Sequence, residues 1–537
     1  MEHHSGSQQS TPEASGMSAL FSECLGATGA ALSPQTWVLL LTFLVLLGWY
    51  SVSPFGIFER LGIPGPRPVP FLGTFLHYRK GIFKFDEECY KKYGNIWGIY
   101  DGRRPLLCIM DPDLIKIIFI KEFYTLFTNR RGFGLSGPLE DSIIIVTDEQ
   151  WKKLRTVLSP MFTSGRMKEI FSIINHYTQN LVKMAEKKAK LNEAVNLKEV
   201  FGSYSMDVVA STSFSLDIDS INNPDDPLVT NVKIFTDFSF FSLDLLLILI
   251  FPFFIPILQK LNWGFFPKGV TEFFIRAVLN MKAKRQKGIH NDQVDFLQLL
   301  VDSQATATNA DQQNDANNST HNALTDKEIL AQCIFFILAG YETISNTLSY
   351  LGYNLAMHPD VQKNLPSRLH ESFPMKAPPT YDDVMQLEYL EMVISETLRL
   401  HPAVVRLERV CKKDIKINGV TIPKNTVVVV PAYVLHHDPK YWQEPEEFRP
   451  ERFSKEERQS QNPSIFLPFG MGPRKCVGMR FAQLMIKMSI VSLLQHLTFV
   501  PCNETPIPLE LDVKGPKRPK KPIILKFVSR VDADSKE

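Results

Sequence analysis

The chain opens on a polar stretch and passes abruptly into an apolar one. Residues 1 to 16 (MEHHSGSQQSTPEASG) show no periodicity and are expected to be disordered, as part of an extension over 1–30 in which Met17 is an alternative start. Positions 24 to 58 then carry no charge and centre on WVLLLTFLVLLGWY, Trp37 to Tyr50. About 20 apolar residues cross a bilayer, and Trp37, Trp49 and Tyr50 stand where interfacial anchors belong, so residues 31–58 read as a transmembrane signal-anchor. A cleaved signal peptide would need a positive n-region, and no Lys or Arg precedes Arg60. Basic residues follow the span instead (Arg60, Arg67, Arg79, Lys80, Lys84), which by the positive-inside rule leaves everything after residue 58 in the cytosol and the Asn317 and Asn318 sequons unglycosylated. Residues 59–75, with IPGPRPVPFLG at their centre, read as a stiff proline-rich hinge that holds the body off the membrane.

Beyond the hinge the pattern is helical with few strands. Thr147-Asp-Glu-Gln150, Thr325-Asp-Lys-Glu328 and Thr380-Tyr-Asp-Asp383 each set a hydroxyl three residues before an acid or amide, the signature of a capping box. The second opens a helix that runs to about Met357, just before His358-Pro359, or about 48 Å at 1.5 Å per residue. Asn418-Gly419 reads as a hairpin turn, followed by the strand TVVVVP. Residues 238 to 258 (FSFFSLDLLLILIFPFFIPIL) invite a second span, but Asp244, Pro252 and Pro256 oppose it, and a membrane-dipping helix pair is the preferred reading. Residues 303 to 323 are too polar to pack and read as a surface loop between two helices. The expected class is mainly α with small β-sheets: one large domain over 76–530, then a tail at 531–537.

Composition changes this picture little. A balance of 59 basic against 57 acidic side chains gives no reason to expect a nucleic-acid partner. The seven cysteines lack CxxC pairs and the even spacing of a disulfide framework, which points to a reducing compartment. The 38 phenylalanines suit a large apolar pocket or membrane contact.

The decisive segment is PFGMGPRKCVGMRFAQLMIKM, Pro468 to Met488. Phe469, Gly470 and Gly472 make a flexible approach, Arg474 and Cys476 follow, and Gly478 opens a helix with Phe481, Leu484 and Met485 inward. Such a loop lets backbone come close to a planar cofactor and leaves a thiolate at a helix N-terminus, where the dipole and N–H groups favour the anion. A lone cysteine is usually a small core residue, but this one sits in the pattern Phe-Gly-x-Gly-x-Arg-x-Cys-x-Gly. The pattern resembles the haem-binding loop of the cytochrome P450 family. The resemblance implies that fold, haem b (iron protoporphyrin IX) as cofactor, Phe469 beside it, and Cys476 as the axial thiolate whose electron density favours O–O cleavage.

Further motifs gain meaning from the resemblance. Glu396 and Arg399 in SETLRLHP are three apart on a helix, ordinarily a surface pair of little worth. The family makes them, with Arg452 of FRPERF, a buried charge triad that serves folding and haem retention. Trp151 and Arg155 in WKKLR read alone as an amphipathic helix with one core Trp; the resemblance makes them haem-propionate contacts, joined by Arg130, Arg409 and Arg474. In FFILAGYETISN, Thr343 alone would be a back-bonded core residue. The family places an oxygen-binding groove there, with Glu342 and Thr343 relaying protons to bound dioxygen.

Motif similarity covers about residues 60 to 530, and KAPPTYDDV, RLERVCKKDI, HDPKYW and GMRFA are similar to family 3, subfamily A, the broad drug- and steroid-oxidising branch. This implies a roomy apolar pocket under the 238 to 258 segment, lined by Ile144, Phe335, Leu338, Ala339, Thr343, Val404 and Leu407. The N-terminal extension and the Asn/Gln-rich loop depart from the branch. No flavin or nicotinamide fingerprint is present, so electrons are expected from NADPH–cytochrome P450 reductase, with cytochrome b5 as a further partner. Lys152, Lys153, Lys475, Arg480 and Lys487 near the proximal motifs are either a solvated face or the docking surface for that acidic reductase. The expected activity is insertion of one oxygen atom from O2 into lipophilic substrates such as steroids and drugs, by a single-pass protein of the endoplasmic reticulum. Competing readings are an oxygen-independent isomerase of the thromboxane-synthase type and a haem-containing binding protein without turnover; Cys476, Glu342 and Thr343 speak against both.

Overall fold

A computed structural model describes residues 33–132, 134–237, 242–286, 295–310, 323–372, 379–513 and 518–530. The expected disordered extension, both sequons and the C-terminal tail lie outside the described residues.

Helix α1 (Pro34–Val52) starts where Ser33 caps it and Pro34 takes the first helical position. Its 19 residues span about 28 Å at 1.5 Å per residue, close to a bilayer's hydrocarbon thickness. Val38, Leu39, Leu41, Phe43 and Val45 are exposed. The only other helix among the described residues long and apolar enough to cross a membrane is Asp326–Met357, most of which is buried in protein. No second span forms at 242–260. Pro252 and Pro256 break the apolar run into short helices that leave Leu247, Phe253, Phe254 and Ile257 exposed.

The proline-rich segment is extended, as expected, but does not stand off from the body. The backbones of Gly65 and Gly98 touch, so closely that a Cβ on Gly65 would lie 2.1 Å from the Gly98 carbonyl oxygen. Gly98 N–H donates to the Pro64 carbonyl at 2.9 Å. That glycine pair seats the segment on strand β1 (Ile96–Asp101).

Beside β1 run β2 (Arg104–Ile109), β3 (Leu407–Val410) and, after the small hairpin β4 (Ile415–Ile417) and β5 (Val420–Ile422), β6 (Val427–Val430). The four-stranded sheet has the order β1-β2-β6-β3, with only the β2–β6 pair parallel. Asn418 and Gly419 both have positive φ, 46° and 83°, as the hairpin turn between β4 and β5 demands.

The helices that build the site are α2 (Asp148–Leu158), α3 (Ser164–Lys190), α4 (Leu197–Phe214), α6 (Asp326–Met357), α7 (Glu388–Leu400) and α8 (Met479–His496), while α5 (Leu243–Ile250) lies outside it, with Leu249 against Gly102. Helix α6 ends at the expected residue, opens with a complete Thr325–Glu328 capping box, and runs through the body. Helix α4 packs along it at a spacing set by small residues: a Cβ on Gly340 would come within 2.6 Å of Val209. Thr380 and Asp383 also form their box. Thr147 does not. Its place is taken by the Asn129 side chain, whose carbonyl accepts from Asp148 N–H at 2.9 Å while its amide donates to the Asp148 carboxylate at 2.8 Å. The polar stretch expected as a loop from 303 is helical as far as Ala310, continuing from Phe296. Gln304 holds this end, its amide donating to the Leu324 carbonyl and its oxygen accepting from Lys282.

Candidate functional site

The Cys476 loop approaches the interior on two glycines, Gly470 and Gly472, with φ of 77° and 71°. At Gly472 a Cβ would lie 1.9 Å from the Phe119 carbonyl oxygen, so the backbones touch there. Cys476 N–H donates to the Phe469 carbonyl at 2.8 Å and turns the residue toward a cavity of about 700 Å³, which Phe469 and Phe481 also line. Burial pushes the Cys476 thiol up, against the Gly478 N–H, Arg155 and Arg130, which favour its anion. A coordinated cation would add to the groups that favour the anion. Among the described residues no group of three or more His, Cys, Asp or Glu stands ready to hold a metal. A metal here needs most of its ligands from elsewhere.

Around the same cavity lie Arg130, Arg155 and Arg474, with Arg409 directly behind the wall. Among the described residues none of the four forms an ion pair. Arg155 donates to the Lys475 carbonyl, Arg130 to the Arg474 carbonyl, Arg409 to the carbonyls of Glu408 and Met471, and Arg474 to that of Val146. The Nε groups of Arg409 and Arg474 are buried without a partner. Burial, with Arg130 and Arg474 as neighbours, holds Arg409 well below the usual guanidinium range; burial and Arg130 bring Arg474 down to about 9. Like charges packed this way call for anions. The two carboxylates of a haem, with Cys476 on its iron, answer both that demand and the shortage of metal ligands, so the residues fit the group. Trp151 is buried on the cavity wall, with the Arg474 guanidinium 4.8 Å from its ring centre.

Helix α6 lines the opposite wall with Phe335, Phe336, Ala339, Gly340, Thr343, Ile344 and Thr347. At 100° per residue these fall on one arc. Two expected site residues fall off it. Leu338 turns into the core around α2 and α4 and does not line the cavity. Glu342 lies at the flank, ion-paired to Lys198 of α4 at 2.8 Å and accepting from Asn346 at 2.9 Å. Thr343 faces the cavity, its hydroxyl back-bonded to the Ala339 carbonyl at 2.7 Å. Ile144, Val404 and Leu407 line it as expected.

The charge triad is formed. Arg399 directs Nε and Nη2 at the two Glu396 oxygens, 2.7 and 2.8 Å away, and its other N–H groups at the carbonyls of His436, Pro445 and Glu447. Glu396 Oε1 also accepts from Arg452 Nε at 3.3 Å and from Arg449 N–H at 2.9 Å. Glu396 and Arg399 are completely buried.

The basic cluster is smaller than expected. Lys487 is buried, paired with Glu391 at 2.9 Å, because its position on α8 faces α7. Lys153 is spent on Glu328 at 2.7 Å. Lys475 and Arg480 are exposed, and Lys152 is partly so, pairing with Glu149.

Sequence reasoning missed a second buried network on the cavity rim. Arg131 bridges Asp101 and Glu408, and Arg406 grips Asp86 through two contacts of 2.6 Å and meets the Tyr78 hydroxyl at 2.9 Å. Burial would raise Asp101, yet Arg131 and Arg406 hold it low. The available signal was Arg406, just before strand β3, and Glu408 within it, two positions apart, a spacing that puts both on one face.

A family model described as cytochrome P450 matches residues 63–527. Cytochrome P450 3A30 of Fundulus heteroclitus is 52% identical over 499 residues, 93% of this chain and 99% of the relative. Cytochrome P450 3A29 of Sus scrofa and cytochrome P450 3A5 of Homo sapiens are each 51% identical, over 93% of this chain and 97% of their own length.

Proposed function

Because the chain belongs to the cytochrome P450 family, in its 3A branch, and is a haem-thiolate monooxygenase, we propose that it oxidises steroids and lipophilic drugs or xenobiotics with electrons from NADPH–cytochrome P450 reductase. The single observation that carries this reading is the Cys476 thiol turned into an apolar cavity of about 700 Å³ beside four guanidinium groups that form no ion pair among the described residues. Haem b is the proposed cofactor. Cys476 would hold its iron, Phe469 would lie against it, and Trp151, Arg130, Arg155, Arg409 and Arg474 would hold its propionates, with charge-assisted hydrogen bonds replacing the water those carboxylates lose. Bound there, the haem would supply activation of dioxygen and transfer of one oxygen atom to substrate.

The chain's own part is to bind, orient and keep dry. Phe335, Ala339, Ile144, Val404 and Leu407 offer apolar contact that tolerates many shapes. Thr343 is the proposed anchor for proton delivery at the cavity wall: its hydroxyl donates to the Ala339 carbonyl, and its oxygen can accept from an ordered water that passes the proton on. Glu342 would pass protons inward from its flank, which requires its side chain to leave Lys198. Glu396, Arg399 and Arg452 are assigned to folding. Lys475, Arg480 and Lys152 form the proposed docking face for reductase and, in turn, cytochrome b5. The domain limits follow: a membrane anchor at 31–58, a seated hinge at 59–75 and the catalytic body over 76–530, facing the cytosol from the endoplasmic reticulum. The test is a reduced carbon-monoxide difference spectrum followed by NADPH-dependent turnover of a panel of steroids and lipophilic drugs. A red-shifted thiolate Soret band with product is expected; absence of that band overturns the ligand assignment, and the band without NADPH-dependent product overturns the activity.

A further inference from the structure

One stretch of cavity wall is held from two directions by groups that belong to different parts of the site. Residues 141–146 run between a short 3₁₀ turn (Gly137–Leu139) and helix α2 and present Ile143, Ile144 and Ile145 to the cavity. From the side of α6, Gln332 reaches this stretch. Its Oε1 accepts from Ile143 N–H at 2.8 Å, and its Nε2 donates to the carbonyls of Asp141 at 2.8 Å and Glu328 at 2.9 Å. The side chain is fully buried, and the partners fix its orientation: an N–H on one side, two carbonyls on the other. From the side of the Cys476 loop, Arg474 Nη2 donates to the Val146 carbonyl at 2.6 Å, and Nη1 lies 3.5 Å from the carbonyls of Ile143 and Ile144. Ile143 is thus held by its N–H from the long helix and approached at its carbonyl by a cavity-wall arginine.

We propose that Gln332 is a positioning residue for the oxidation, fixing the 141–146 wall so that Ile143, Ile144 and Ile145 hold the substrate in register with the oxygen-transfer centre. The inference rests on the reading of the cavity as the substrate pocket. A leucine or methionine of similar bulk would fill the same space yet leave the Ile143 N–H and the Asp141 carbonyl unpaired in the interior, so an amide at this position answers a geometric need and not only a packing one. A bulky substrate pressing on the isoleucines must strain either the Gln332 contacts or those of Arg474. The wall therefore resists displacement, and the substrate turns to suit the wall.

Full-length wild type and Gln332→Met, both in vesicles with reductase, are compared on a steroid that offers several oxidisable carbons. Expected for Gln332→Met are a retained thiolate spectrum, faster hydrogen exchange across 139–146, nearly unchanged kcat, and a KM and product ratio shifted by about two- to tenfold, the factor one hydrogen bond's net worth corresponds to. Unchanged KM and product ratio in a variant that keeps the thiolate spectrum overturn the proposal. If Gln332→Met loses haem, Gln332→Asn, which keeps the amide but shortens its reach, takes its place under the same criterion. Loss of haem in both also overturns it, by making Gln332 a folding residue. Wild type that binds haem but yields no product sinks the pocket reading and not the clamp.

Discussion

The side of the molecule below the cavity and its exposed apolar face solve opposite problems. Below the cavity, Arg399 spends five N–H contacts on Glu396 and three carbonyls, all in the dry interior, and the Cys476 loop is pressed backbone to backbone on Phe119. At the exposed apolar face, Phe253, Phe254, Ile257 and Trp263 are open to the surface, and Tyr50 stacks on Phe251 at 6.3 Å while its hydroxyl donates to the Ile250 carbonyl. Buried polar networks tolerate few geometries, whereas apolar surfaces tolerate many. Haem is one rigid ligand, and lipophilic substrates are diverse. The contrast teaches that this chain concentrates its specific contacts where its ligand never changes.

The contrast should break first at the thiolate. Cys476→Ala is expected to abolish the red-shifted carbon-monoxide band altogether; a normal band in that variant would disprove the assignment. Next comes Glu396→Gln, which leaves two buried guanidinium groups without their charge partner and should lower stability by about 3–5 kcal/mol, read from urea unfolding and from the fraction of haem retained. A loss under 1 kcal/mol would mean the triad is ornamental. On the cavity side the effects turn from structural to kinetic. Thr343→Ala should keep the spectrum and substrate binding but divert NADPH electrons from product into hydrogen peroxide, measured as product formed per NADPH consumed; full yield would end its proton-delivery role, while turnover of a peroxide without NADPH would favour an isomerase. The smallest effect belongs to the surface: Lys475→Glu with Arg480→Glu should raise the reductase concentration for half-maximal turnover by about three- to tenfold at low salt, as rim charges steer encounter without altering the site. Titration curves that superimpose on wild type at every ionic strength would exclude this docking face.

What the sequence revealed follows the same division. Helix α6, the Thr325 and Thr380 capping boxes, the Asn418-Gly419 hairpin and the Cys476 loop were legible because each is a local pattern whose meaning lies within a few residues. The burial of Lys487 was not, since a charge on α8 looks the same whether α7 or water faces it. Leu338 was misplaced because a motif names consecutive residues, but a helix shows only an arc of them to the cavity. Asn129 replacing Thr147 as a cap, and Arg131 between Asp101 and Glu408, depend on partners 19 to 277 positions away, which no window on the chain contains.

Gly472 gives the proximal contact a genetic meaning. Every amino acid other than glycine carries a Cβ, and here that atom would meet the Phe119 carbonyl oxygen at 1.9 Å on a backbone already at positive φ. Conservative and radical missense changes at this codon therefore meet the same first obstruction, a backbone carbonyl that no side-chain rotation can move aside. Even the smallest missense change at codon 472 should therefore be felt: Gly472→Ala is expected to lower the fraction of haem retained, where a synonymous change leaves it untouched.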